Sequence, residues 1–265
     1  MIRTLPLLAL FPFCISCSYY QYSTVSSDRL TKNDKNEFVL ENDTLRLVYN
    51  FCGRNAPVNI TIQNKLQVPV YIDWQRSALV LNDKTVTYAP NELKIDGSYR
   101  GGSYNFGRSG YGVNSGHIQA SASLPPTVDF IPPTAFLTKN PLVITNRYID
   151  SIPETAFKRT KYAPVEGLSV TVNRAAFTKE TSPLRFRSFL TYMVGEPTAR
   201  PQSIEHSFYV SEMMNTFTGP GTMLINKDRL GNQFYVSKST GAGTALGVIA
   251  GAAAVAVVAT QVSDK

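Results

Sequence analysis

Residues 44–52, TLRLVYNFC, decide how this chain folds. Leu45, Leu47, Tyr49 and Phe51 occupy every second position. An extended strand turns all four to one face, whereas a helix scatters them around its axis. Residues 58–65, VNITIQNK, repeat the period with Val58, Ile60 and Ile62. Further short runs rich in β-branched and aromatic residues follow: VPVYIDW (68–74), ALVLN (78–82), KTVTYA (84–89), PTVDFI (126–131), PLVIT (141–145), LSVTV (168–172), RFRSFLTYMV (185–194) and SIEHSFYVS (203–211). Asn, Asp, Gly and Pro separate them. No long 3.6-residue period occurs before position 240.

This spacing predicts a mainly β protein, an immunoglobulin-like antiparallel β-sandwich over residues 37–213. NKLQVP (64–69) reads as a hairpin connection. Pro132, Pro133, Pro141, Pro153 and Pro183 mark turns or edge strands. Trp74, the one tryptophan, reads as a core anchor, and Cys52 as a small buried hydrophobe. Residues 214–240 read as a terminal hairpin and connector, with the tip near Leu230, Gly231 and Asn232.

The two ends differ from the middle. Residues 1–16 carry one early charge, Arg3, then an apolar run over 5–15 that is too short to span a bilayer and fits a signal peptide. Residues 17–36 are polar, without apolar periodicity, and read as a tether. Residues 241–261 read as a hydrophobic Gly/Ala-rich helix. Eighteen uncharged positions, 242–259, would span about 27 Å as a helix, close to a hydrocarbon core. Its six aliphatic residues favour insertion by only about 3 kcal/mol, a marginal span that a second anchor would complete. Gly243, Gly247 and Gly251 share one helix face, where another backbone can approach closely. A tail helix packed on the body or on a partner is the alternative.

Ile15, Ser16 and Cys17 resemble the bacterial lipobox, which implies lipidation at Cys17. An ordinary signal peptide and an uncleaved anchor are the alternatives. In the middle, YNFCGRNAPVNITIQNKLQVPVYIDWQRSALVLND, with FIPPTAF and SPLRFRSFLTY downstream, resembles uncharacterised lipoproteins of Bacteroidetes-type bacteria. The likeness rests on phrases such as N-K-x-x-x-P-x-Y-I-D-W-x-x-S. It implies a compartment and a fold, not an activity. Ser18 does not match the inner-membrane retention Asp of enteric lipoproteins, which favours the outer membrane.

Charged residues make up 17% of the chain, below the usual quarter, and the net charge is +7. Lys158, Arg159 and Lys161 cluster, and Arg185 and Arg187 share a strand face. Both groups read as solvated faces or as docking points for anionic headgroups. Residues 97–116, GSYRGGSYNFGRSGYGVNSG, interleave Tyr99, Arg100, Tyr104, Arg108 and Tyr111 with glycine. This is a flexible surface loop or a binding loop for glycan or protein. The interleaving resembles RGG-type nucleic-acid binders, but an exported chain rarely meets RNA, so no nucleic-acid partner is expected. His117 and His206 lie far apart, Cys14 and Cys17 belong to the first seventeen residues and leave Cys52 alone, and neither a zinc pattern nor a nucleophile motif is present. The sequence therefore predicts no metal, no cofactor and no enzymatic activity. It predicts an envelope lipoprotein with a structural, scaffolding or assembly role. The alternatives are a surface binding module and a pore-like oligomer built from the tail helices.

Overall fold

The computed structural model describes residues 17–89, 94–96, 121–123, 127–140 and 142–240. The first strands in chain order are β1 (Cys17–Ser26), β2 (Thr31–Lys32), β3 (Phe38–Glu41), β4 (Leu45–Asn50), β5 (Gly53–Arg54) and β6 (Asn59–Asn64). Next come β7 (Val70–Leu81), β8 (Lys84–Thr87), β9 (Lys94–Asp96), β10 (Ser121–Ser123), β11 (Val128–Ile131) and β12 (Phe136–Lys139). Last are β13 (Lys158–Val165), β14 (Leu168–Ala176), β15 (Arg185–Val194), β16 (Gln202–Thr216) and β17 (Gln233–Thr240). One four-residue helix, α1 (Pro220–Met223), is present among the described residues. The protein is mainly β.

The larger sheet has ten strands. Its main path runs β11–β7–β15–β16–β1–β17–β5, with β8 paired to β7 and the β13–β14 pair joined to β16. The smaller sheet runs β12–β6–β4–β3–β2, and β9 pairs with β10. All described ladders are antiparallel except β17 with β5, which is parallel.

One core joins the two larger sheets. Leu45, Leu47, Tyr49, Phe51, Val58, Ile60 and Ile62 are all fully buried, as the period-two pattern requires. They pack with Val70, Ile72, Trp74, Phe186, Leu190 and Phe208 from the ten-stranded sheet. The Phe51 ring lies 5.4 Å from Phe186 and 5.1 Å from Phe208, both edge-on. Each such side chain contributes about 1.5–3 kcal/mol on burial. Trp74 is buried in this core, and its Nε1–H donates to Asp129 Oδ2 at 2.7 Å.

Several local expectations are corrected. Residues 17–36 are not a tether: β1 lies between β16 and β17, pairing with β17 from Cys17 to Thr24 and with β16 from Tyr20 to Ser26. Its polar look comes from Ser, Thr, Gln and Tyr, several of them buried, and no charge interrupts it before Asp28. NKLQVP is not a hairpin, because β6 and β7 belong to different sheets. It is a crossover held by Asn64, whose Nδ2 donates to the carbonyls of Val68, Ile131 and Pro132 while Oδ1 accepts from Leu66 N–H. PLVIT forms a single bridge, Val143 to Pro57, and contributes Leu142 and Ile144 to the core. Residues 221–238 form no hairpin either. The chain passes through α1 and a 3₁₀ turn at Lys227–Arg229, and then β17 pairs with β1. Gly231 is a close-approach point, since a Cβ there would sit 2.5 Å from Glu37 Cγ and 2.9 Å from the Lys35 carbonyl. Cys52 is half-buried rather than enclosed. The body thus includes β1, β16 and β17 and extends from Cys17 to Thr240.

Candidate functional site

The most built concavity grows from a row of polar residues across four strands. Arg159 on β13 pairs with Asn173 on β14, Asn173 with Asn215 on β16, and Asn215 with Gln21 on β1. Directly paired residues share a sheet face, so a guanidinium and three amides stand side by side. Gln21 then fixes a cover. Its Nε2 donates to the Ile149 carbonyl at 3.2 Å, and its Oε1 accepts from Ile149 N–H at 3.0 Å. This pair of hydrogen bonds lays residues 148–157 over the sheet. Tyr148, Asp150, Ile152, Glu154 and Phe157 form the second wall of a groove of about 460 Å³, within the range of small-molecule sites.

Aromatic rings line its outer end. Tyr19 and Tyr148 stack at 5.9 Å, and Phe217 packs on Tyr19 at 4.8 Å. Lys238 Nζ lies 5.7 Å from the Tyr148 ring centre and 3.6 Å from Asp150 Oδ1. Burial, with the nearby Tyr19 and Asp150, pushes the Tyr148 phenol well above its ordinary range, so it stays protonated. Two carboxylates, Asp150 and Glu154, balance two cations, Arg159 and Lys238, so the groove has no net charge. Asn215 Oδ1 is buried without a hydrogen-bond partner. An enclosed acceptor of this kind needs a donor from water or a ligand.

The groove lies at a particular end of the sheet. Cys17 and Thr240 are direct partners on adjacent strands. Tyr19, in the groove wall, is two residues from Cys17 and pairs with Lys238.

A second concavity of about 330 Å³ gathers Asp28, Asp83, Lys179, Arg185 and Arg187. Lys179 pairs there with Asp28, and Arg187 pairs with Glu205, outside the lining, at 3.0 Å. A third, shallower one holds Cys52 beside Glu37, Lys227 and Asp228. Burial raises the Cys52 thiol, which lowers its reactivity. Inside the core, Ser188 Oγ contacts the hydroxyls of Tyr49 at 3.0 Å and Tyr88 at 2.9 Å, and His206 Nδ1 lies 3.3 Å from Tyr49 Oη. All four residues are buried, so this polar cluster joins the two sheets rather than meeting a substrate.

Of Cys17 only the backbone is described, where it opens β1. Gly243, Gly247 and Gly251, and Tyr99, Arg100, Tyr104, Arg108 and Tyr111, lie outside the described residues. The basic cluster divides: Arg159 enters the groove, whereas Lys161 Nζ donates to Thr171 Oγ1 at 3.0 Å. Gln21, Asn173, Asn215 and Tyr148 were not singled out by the sequence. Polar residues alternating along a strand look the same whether they face a groove or open water. Among the described residues, no group of three His, Cys, Asp or Glu could hold a metal ion, and no helix is long and apolar enough to cross a membrane. No family model, curated protein or solved structure matches this chain.

Proposed function

We propose that the chain is a non-enzymatic, lipid-anchored cell-envelope protein with a structural or assembly role, its body an immunoglobulin-like β-sandwich. The observation that carries this reading is the pairing of Cys17 with Thr240. The lipobox-like cysteine and the start of the uncharged tail are neighbours on one sheet, so two membrane attachments leave the body at one point. The tail alone is a marginal span, and the lipid at Cys17 adds a second membrane attachment at the same point. The outer membrane is the proposed location. Expressing the chain in bacteria fed a clickable fatty acid tests the lipid. The wild-type chain takes up label and Cys17→Ala takes up none; an unlabelled wild-type chain refutes the lipoprotein reading.

A second reading, a binding module for glycan or protein, is favoured by the unpartnered Asn215 Oδ1 in an aromatic-walled groove of balanced charge. Neutral hydroxyl-rich ligands match such a mixture of donors, acceptors and ring faces. In a glycan-array binding assay on the detergent-solubilised chain, Arg159→Ala lowers any groove-borne signal, while replacing residues 98–115 lowers a signal carried by the Tyr/Gly loop. An oligomeric assembly through Gly243, Gly247 and Gly251 is compatible with either role, and Gly247→Ile tests it by weakening a crosslinked ladder.

A further inference from the structure

We propose that the end of the ten-stranded sheet where β1 begins and β17 finishes seats directly in the headgroup interface of a lipid bilayer, with Tyr19, Tyr20, Tyr148, Phe217 and Lys238 as its contact ring. This rests on the anchored reading above and adds a face, an orientation and named residues to it.

Both termini of the body leave it at this end of the sheet. The apolar leader precedes Cys17 and the uncharged tail follows Thr240, and these two residues are direct partners. A lipid on Cys17 would therefore have no slack behind it, because β1 starts at that residue. Strands rise about 3.3 Å per residue, so Tyr19 and Lys238 stand only about 7 Å from the attachment line.

Aromatic rings and a lysine stand there. Phe217 is 68% exposed although it is large and apolar, and it sits just beyond the end of β16, where Thr216 pairs with Tyr20. Tyr19, Tyr20 and Tyr148 are half-buried. Lys238 keeps more than half of its side chain exposed while its ammonium lies over Tyr148. Rings with polar tips and a lysine that can extend past them are the side chains enriched where hydrocarbon meets water. Phe130 and Phe136 are also exposed, but they lie on β11 and β12, the edge strands of the two sheets, away from both attachment points. Scattered exposed apolar residues of that kind need no partner. The opposite end of β16 leads from residues 195–201, where Glu196, Thr198 and Arg200 are exposed. Fourteen residue steps separate Gln202 from Thr216, so that end stands about 45 Å away.

The test places one environment-sensitive fluorophore on the full, processed chain. In a Cys52→Ser background, Phe217→Cys, Lys238→Cys and Thr198→Cys are labelled separately. Each is reconstituted into phosphatidylethanolamine/phosphatidylglycerol vesicles that carry a headgroup-proximal spin label. Phe217 and Lys238 are exposed, so neither change threatens the fold. The expected result is severalfold stronger quenching at 217 and 238 than at 198. Equal quenching at all three positions on chains that float with the vesicles overturns the docking proposal and leaves the anchored reading standing. Shielding of 217 from both lipid and aqueous quenchers also overturns it, since a second copy or another protein then covers the ring. Chains that fail to float overturn both readings.

Discussion

His206 shows how one residue ties the fold to pH. Burial, with Arg29 nearby, pulls its imidazole down to about 4 from an ordinary 6.5, against a smaller opposing effect of Glu205. The folded protein therefore holds His206 neutral over a range in which the unfolded chain takes up a proton. Its contribution to stability is complete above pH 6.5, declines as pH falls below that value and is lost by about pH 4. Melting temperatures measured across this window should fall with pH in the wild type and fall less in His206→Gln. Asn64 makes a second residue-scale prediction. Asn64→Ala leaves buried carbonyls at the crossover without donors and costs about 3 kcal/mol by chemical denaturation. The distinctive phrase that begins at Asn64 has a structural explanation here. Asn64 clamps the crossover, Trp74 reaches Asp129, and Ser77 Oγ donates to the Asp73 carbonyl and accepts Thr191 N–H at 2.9 Å. Core residues such as Leu45 and Ile60 were legible because period two depends on local geometry alone. The groove amides were not, because their meaning depends on which strands lie beside them.

At the scale of elements, β1 is the sharpest departure from the sequence reading. A segment such as SYYQYSTVS lacks the alternating aliphatics that announce a core strand, yet it is paired on both sides and buries Gln21, Tyr22, Ser23 and Val25. Deleting residues 18–26 should abolish cooperative unfolding by circular dichroism. A chain that melts at the wild-type temperature without them would return β1 to the status of a tether. β7 departs in the opposite direction. Two short runs, 68–74 and 78–82, merge into one twelve-residue strand, and the stretch between them is a break in register opposite β15. Ser77 fills that break with a hydroxyl that satisfies Thr191 N–H. Ser77→Ala leaves this buried amide unpaired and should cost about 1–2 kcal/mol. Sequence period locates strands well, but it cannot show which neighbour's irregularity a polar residue is satisfying.

At the scale of the molecule, the sequence made the mainly β class and the two unusual ends legible, each from local composition. It could not bring those ends together. β1 and β17 stand more than two hundred residues apart in sequence and meet only through pairing across the sheet. Their meeting turns two separate expectations, a lipid at Cys17 and a membrane-associated tail, into one account of a body held at a bilayer by one end. Extraction of membranes at alkaline pH tests that account most directly, using wild type, Cys17→Ala, a chain ending at Thr240, and the combination. The account predicts that each single change leaves a pelleted fraction and that the combination is released as folded, soluble protein. If the combination stays in the pellet, or if either single change alone releases all of the protein, the two ends do not act as joint anchors and the account is wrong.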